Sequence, residues 1–137
     1  MASKAFFDAN ILLYSDDARF PSKQDTAAQL IESHLRSRTG AVSLQSLGEY
    51  FRNATLKLKL DPSFARQRAE FFARFPVYRP LLEDVHAAMS LYISHRVPYW
   101  DAMIVQAAIQ SGCKTLYSED LQHGRQINGI EIINPFL

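Results

Sequence analysis

The sequence predicts one α/β domain, with helices on both faces of a mostly parallel central sheet of four to five strands. Three observations predict it. Short apolar runs bounded by polar turn residues stand near the start, at "AFF" and "AVSL", and again near the end, at "KTLYS" and "GIEIIN". Between them lie long stretches whose apolar residues recur at helical spacing. The resulting order is strand, helix, strand, several helices, strand, turn, strand, and such alternation favours a three-layer domain with a parallel sheet. The 137 residues, 47% of them hydrophobic, suffice for one core, so residues 1–137 read as a single domain.

Each element has its own signal. Residues 4–9 read as a short buried strand ending near Asp8. In "FPSKQDTAAQLIESHLRSRTG", Pro21 suits a first helical turn and Ala27, Leu30, Ile31 and Leu35 recur on one face. Gly40 is expected to end that helix in the left-handed conformation. "AVSL" is a brief strand, and a helix follows from about Gln45 to Lys59. "DPSFARQRAEFFARF" opens with Asp61 as N-cap and Pro62 in the first turn, and aligns Phe64, Phe71, Phe72 and Phe75 in a stripe. "LLEDVHAAMSLYISHRV" is a further helix. "PYWDAMIVQAAIQSG" is another, with Pro98 near its start and Gly112 at its end; apolar on nearly every side, it predicts a central, buried helix. "KTLYS" is a strand, "EDLQHG" a turn or short helix, and "GIEIIN" the last strand.

Several function classes find no support. A single cysteine, Cys113, permits no intrachain disulfide. No run approaches the roughly 18 apolar residues of a membrane span. Asp8 and Asn10 interrupt the only early apolar run, so "MASKAFFDAN" does not read as a signal peptide, and a cytoplasmic protein is expected. His34, His86, His95 and His123 lack zinc-site spacing, and no glycine-rich nucleotide loop is present. Net charge is only +1, yet His34 to Arg79 holds nine Lys or Arg against three acids. That excess suits either solvated helix faces or a surface that meets phosphates.

Four carboxylates stand in unusual places. Asp8 interrupts "AFFDANILLY"; Glu49 follows the second strand in "SLGEYF"; Asp101 opens the most apolar helix in "YWDAMIV"; Asp120 lies just past a strand end in "LYSED". Each alone has a bland explanation as a cap or a solvated side chain. Ligands of open parallel sheets bind beyond the carboxyl ends of the strands, and all four acids map to that rim. Clustered carboxylates raise one another's pKa, and a hard divalent cation relieves the repulsion. Mg²⁺ or Mn²⁺ suits such oxygen ligands, and hydrolysis of a phosphate ester is the matching chemistry.

Taken in order, "FFDANILLY", "SLGEYF", "YWDAMIVQAA", "LYSEDL" and "INPF" resemble a PIN domain over essentially the whole chain. They are most similar to the small PIN ribonucleases that serve as VapC-type toxins of toxin–antitoxin pairs. The resemblance implies a Mg²⁺- or Mn²⁺-dependent endoribonuclease whose acidic cluster is Asp8, Glu49, Asp101 and Asp120. It also implies that Ser118 and Asn10 support those ligands from behind. Whether Glu119 joins the site is open. Arg52, Lys57 and Lys59 are the best placed of the basic residues to meet RNA. A small antitoxin would bind the helical hairpin near Phe51, Phe64, Phe71, Phe72 and Phe75, beside Tyr50, and a homodimer is expected. The alternative is a PIN-like module that binds RNA or protein without cutting.

Overall fold

The computed structural model describes residues 3–137. In chain order the elements are β1 (Ala5–Phe7), α1 (Ala9–Tyr14), α2 (Pro21–Ser37), β2 (Gly40–Ser43), α3 (Leu44–Leu56) and α4 (Pro62–Phe72). Then come β3 (Val77–Tyr78), α5 (Leu82–His95), α6 (Tyr99–Gln110), β4 (Thr115–Tyr117), β5 (Gln126–Ile127) and β6 (Ile130–Ile133). The sheet order is β3-β2-β1-β4-β6-β5, parallel throughout except that β5 pairs antiparallel with β6.

Side chains alternate across a strand, so adjacent phenylalanines in β1 serve opposite layers. Phe6 enters one core with Leu116, Ile132 and the α6 residues Ala102 to Ala108. Phe7 enters the other with Ile11, Leu12, Ile31, Val42, Tyr50 and Phe72. Helix α6 is buried almost all round, as its uniformly apolar sequence predicts. Asp61 caps α4, its Oδ2 accepting from the Phe64 N–H at 3.2 Å. Gly112 lies just beyond α6 at φ +73°, as expected of a helix-ending glycine.

Four details differ from the sequence reading. The sheet has six strands rather than four to five, because β3 and β5 are two-residue strands too short to show a pattern. The β5–β6 turn is Asn128-Gly129, both at positive φ, the geometry a two-residue hairpin requires. The apolar run after Asp8 leaves the sheet at once and coils into α1. "EDLQHG" is a turn, one of its two sequence readings, and not the short helix that Asp120 would have capped.

Gly40 is the fourth. Arg38, at φ +59°, takes the left-handed position after α2, and Gly40 instead begins β2. A Cβ there would fall 2.3 Å and 2.7 Å from two ring atoms of Phe75. That ring is buried and stacked on Phe7 at 5.2 Å between centroids, so it has little room to yield. Gly40→Ala is therefore expected to lower unfolding stability by about 2–3 kcal/mol, the usual cost of overpacking a filled core. Urea unfolding measures it, and Phe75→Leu in the same chain should recover part of the loss.

The aromatic stripe also divides. Phe72 and Phe75 are core, as is Tyr50, whose ring meets Phe72 edge-on at 4.9 Å. Phe71 is half-buried, and only Phe51 and Phe64 are exposed. Phe72, packed on Tyr50 of α3, and Phe75, stacked on Phe7 of β1, are therefore closed to a partner.

Candidate metal centre

Asp8 leaves β1 at its carboxyl end and caps α1, its Oδ1 accepting from the Ala9 N–H at 2.7 Å. Asp101 sits in the first turn of α6, and Asp120 follows β4. β1 and β4 are neighbouring parallel strands, so their ends bring Asp8 and the Ser118–Asp120 turn together. One carboxylate oxygen from each of Asp8, Asp101 and Asp120 lies within 4.8 Å of the others. The three are up to 112 positions apart in the chain, from Asp8 to Asp120.

Glu49, on α3, lies just outside this trio. It lines the same cavity of about 280 Å³ as Asp8 and Asp120. Gln45 donates to its Oε1 at 2.9 Å and to the Trp100 carbonyl at 3.1 Å, tying α3 to the start of α6. Ser118 is the hub behind the acids. Its hydroxyl donates to Asp8 Oδ2 at 2.8 Å and accepts from the Asp120 N–H at 3.2 Å. Asn10 Nδ2 reaches the same hydroxyl at 3.5 Å, while Asn10 Oδ1 accepts from the Glu119 N–H at 3.3 Å.

The electrostatics report an uncompensated cluster. Burial first, and then the charges of Asp120 and Glu49, push the Asp8 carboxyl up to about 7 against the bonds from Ser118 and Ala9. Asp101 is raised too, by burial first and then by Asp120 and Glu49. Among the described residues, no Lys or Arg forms an ion pair with any of these four acids. Three clustered, hard oxygen donors without a counter-cation match what Mg²⁺ or Mn²⁺ requires.

Glu119 lines the cavity but faces another partner. Lys23 Nζ lies 2.5 Å from Oε2, and the Tyr14 hydroxyl donates to Oε1 at 2.7 Å. Burial opposes its charge, but these two bonds hold its carboxyl below the ordinary value. Of the basic residues singled out in the sequence, Lys57 lines the cavity, whereas Arg52 and Lys59 do not. Sequence reasoning missed Arg19 at the same mouth, which is paired with the buried Asp17 through two bonds of 2.9 Å. The only signal was its place shortly after the Asp8 segment.

Ser118→Ala tests the hub. Removing a group that orients a ligand typically costs 10–100-fold in metal affinity. The expected result is a smaller Mg²⁺- or Mn²⁺-induced rise in melting temperature, read from each protein's own metal-free melt. The metal-free stability should itself fall by about 1–3 kcal/mol, because buried Asp8 and the Asp120 N–H lose a partner.

No family model matches the chain, and no curated protein matches it in sequence. Solved structures do. A chain of a toxin–antitoxin complex from Klebsiella pneumoniae superposes with a TM-score of 0.68 at 20% identity, over 96% of this chain and 98% of that one. VapC20 of Mycobacterium tuberculosis, a toxin that cleaves the sarcin–ricin loop, superposes at 0.62 and 17% identity, over 85% of this chain and 90% of that one. At these identities the likeness is one of fold, and it extends over nearly the whole domain. The chain has a PIN-like α/β fold, with its acidic cluster on the rim where the parallel strands end.

Proposed function

We propose that this protein is a metal-dependent endoribonuclease and the toxin of a toxin–antitoxin pair. The observation that carries the reading is the meeting of Asp8, Asp101 and Asp120, from three separate elements, with no Lys or Arg paired to them among the described residues. The likeness to VapC20, an RNA-cleaving toxin, supports the substrate class.

Asp8, Asp101 and Asp120 would hold the ion, with Glu49 completing the set. Bound Mg²⁺ or Mn²⁺ supplies charge neutralisation at the scissile phosphate and lowers the pKa of water. The chain's own residues do the rest. Ser118 fixes the direction of the Asp8 carboxylate, and Asn10 fixes the backbone that carries Asp120. Gln45 engages Glu49 Oε1, and Oε2 would take a proton from the attacking water. Lys57 and Arg19 flank the mouth and would meet the RNA backbone. Arg52 and Lys59 would act farther along it.

The deciding experiment is cleavage of labelled RNAs, including rRNA and tRNA hairpins, with Mg²⁺, Mn²⁺ or EDTA. Cutting that requires metal and is lost in Asp101→Asn is expected. Equal cutting by both proteins would sink the reading. RNA retained on the protein but uncut under every condition would favour the silent binding module.

For partners, we place an antitoxin segment on the α3–α4 hairpin, where Leu56, Phe51 and Phe64 are exposed; the Klebsiella neighbour's presence in a toxin–antitoxin complex supports such a partner. We place a second copy of this chain on α5, whose outward side shows Leu82, Met89, Tyr92 and Ile93. Antiparallel pairing of two α5 helices would also set Glu83 against the other copy's Arg96, which is complementary charge. Ile93→Glu is expected to shift the protein from dimer to monomer in sedimentation while leaving its melt intact.

A further inference from the structure

The basic excess between His34 and Arg79 is only partly accounted for by the acidic rim. Arg36 pairs with Glu32, Arg66 with Glu70, and Arg68 with Asp16. Lys57 lines the acidic cavity. Arg38 and Arg74 form no ion pair and no side-chain hydrogen bond among the described residues; Arg74 lies over the Phe71 ring at 5.8 Å, and both arginines line a second cavity of about 350 Å³.

Its position is distinct. Gly40, in its wall, begins β2 and pairs with Ala5 at the start of β1. Asp8 lies past the other end of β1, so a strand of three residues, roughly 10 Å, separates the two rims. The wall is made by His34, Leu35, Phe75 and Pro76, and it contains no carboxylate. His34 is tied to the Thr39 hydroxyl at 2.7 Å, and burial lowers its pKa, so the two guanidiniums supply the positive charge.

We infer that this cavity is a second anion site, which takes the phosphate ester of a nucleotide between Arg38 and Arg74. A guanidinium is a planar fork that matches two phosphate oxygens, and two of them without acid partners select for anions. The apolar side of the wall, Leu35, Phe75 and Pro76, suits the flat body that a nucleotide carries and inorganic phosphate lacks. The volume lies within the roughly 300–1,000 Å³ of small-molecule sites. The inference does not depend on the metal centre, because the two rims are separate.

Calorimetric titration with 5′-AMP in EDTA tests it, since EDTA removes metal-mediated phosphate binding on the acidic rim. Arg38→Gln and Arg74→Gln are each expected to weaken AMP by about tenfold, the worth of a charge-assisted bond. Both side chains are exposed, so both variants should melt like the parent. Arg36→Gln, which removes a paired surface arginine two positions away, should change affinity less than twofold or so. A 5′-phosphorylated RNA hexamer with the same dependence on Arg38 and Arg74 would identify an RNA end as the source. AMP binding without hexamer binding would identify a free nucleotide. Either outcome upholds the phosphate-ester site. AMP no tighter than inorganic phosphate, equal weakening by Arg36→Gln, or no AMP binding up to roughly 10 mM would overturn it.

Discussion

Asp8→Asn is expected to lower the proposed metal-dependent RNA cleavage by about 10³-fold or more, while making the metal-free protein more stable at neutral pH. The two effects share one cause. Asp8 is 4% exposed, and burial raises its carboxyl from 3.8 to about 7. A carboxyl whose folded pKa exceeds its unfolded value favours folding in its protonated form. Below about pH 4 both states are protonated and the burial carries no charge penalty. Between about pH 4 and pH 7 the unfolded chain releases its proton and the folded chain keeps it, so stability falls as pH rises. Above about pH 7 the loss is complete, and three pKa units set its upper size on the order of 4 kcal/mol. Asparagine keeps the cap on Ala9 and the volume but carries no charge, so the fall due to Asp8 should disappear and only the part due to other raised groups such as Asp101 should remain. Urea unfolding in EDTA at about pH 5 and about pH 8 makes the comparison. Added Mg²⁺ or Mn²⁺ should then stabilise the parent at the higher pH and leave Asp8→Asn almost unmoved. A parent as stable at the higher pH as at the lower, relative to Asp8→Asn, would show that the carboxylates are compensated by something other than a metal.

Phe72→Ala and Phe64→Ala should behave in opposite ways, although the two residues belong to one sequence stripe. Phe72 is fully buried, edge-on to Tyr50 and beneath the guanidinium of Arg68 at 4.9 Å. Its truncation is expected to cost about 3–5 kcal/mol, enough to unfold much of a marginal domain. The loss should also loosen Tyr50, whose hydroxyl donates to Asp16 at 2.6 Å. Phe64 is 45% exposed, so its truncation should change stability by less than about 0.5 kcal/mol. Its effect should appear only in binding of the proposed antitoxin, where an aromatic anchor is worth about 2 kcal/mol. Thermal melts and antitoxin pull-down of the two variants separate the roles. A normal melt for Phe72→Ala would contradict the packing of α4 on α3.

The acids were legible in sequence because each broke a local pattern. Asp8 interrupts an apolar run, Asp101 opens a helix apolar on nearly every side, and Asp120 follows a strand. Pro62 and Asp61 marked the start of α4, and the α6 boundaries were equally clear. What stayed hidden was short or shared. Two-residue strands such as β3 and β5 carry no periodicity, and α1 has the composition of a strand. Gly40 looked like a helix terminator because nothing near it in sequence reveals Phe75, 35 positions away. Glu119 and Asp120 are adjacent and chemically alike, and no local pattern separates them.

The sequence by itself determined the fold class, the order of its main elements and the identity of the acidic residues, because those follow from hydrophobic period, caps and charges out of place. Only the tertiary structure decided which neighbours those residues meet. It set Glu119 on Lys23 and Tyr14 and left Asp120 free to join Asp8 and Asp101. It turned Phe72 and Phe75 inward while leaving Phe64 outside. It carried Arg38 and Arg74, which follow the ends of α2 and α4, to one cavity. The reason is that period and capping are properties of a few neighbouring residues, whereas a contact depends on where two distant segments are brought by the packing of the whole sheet.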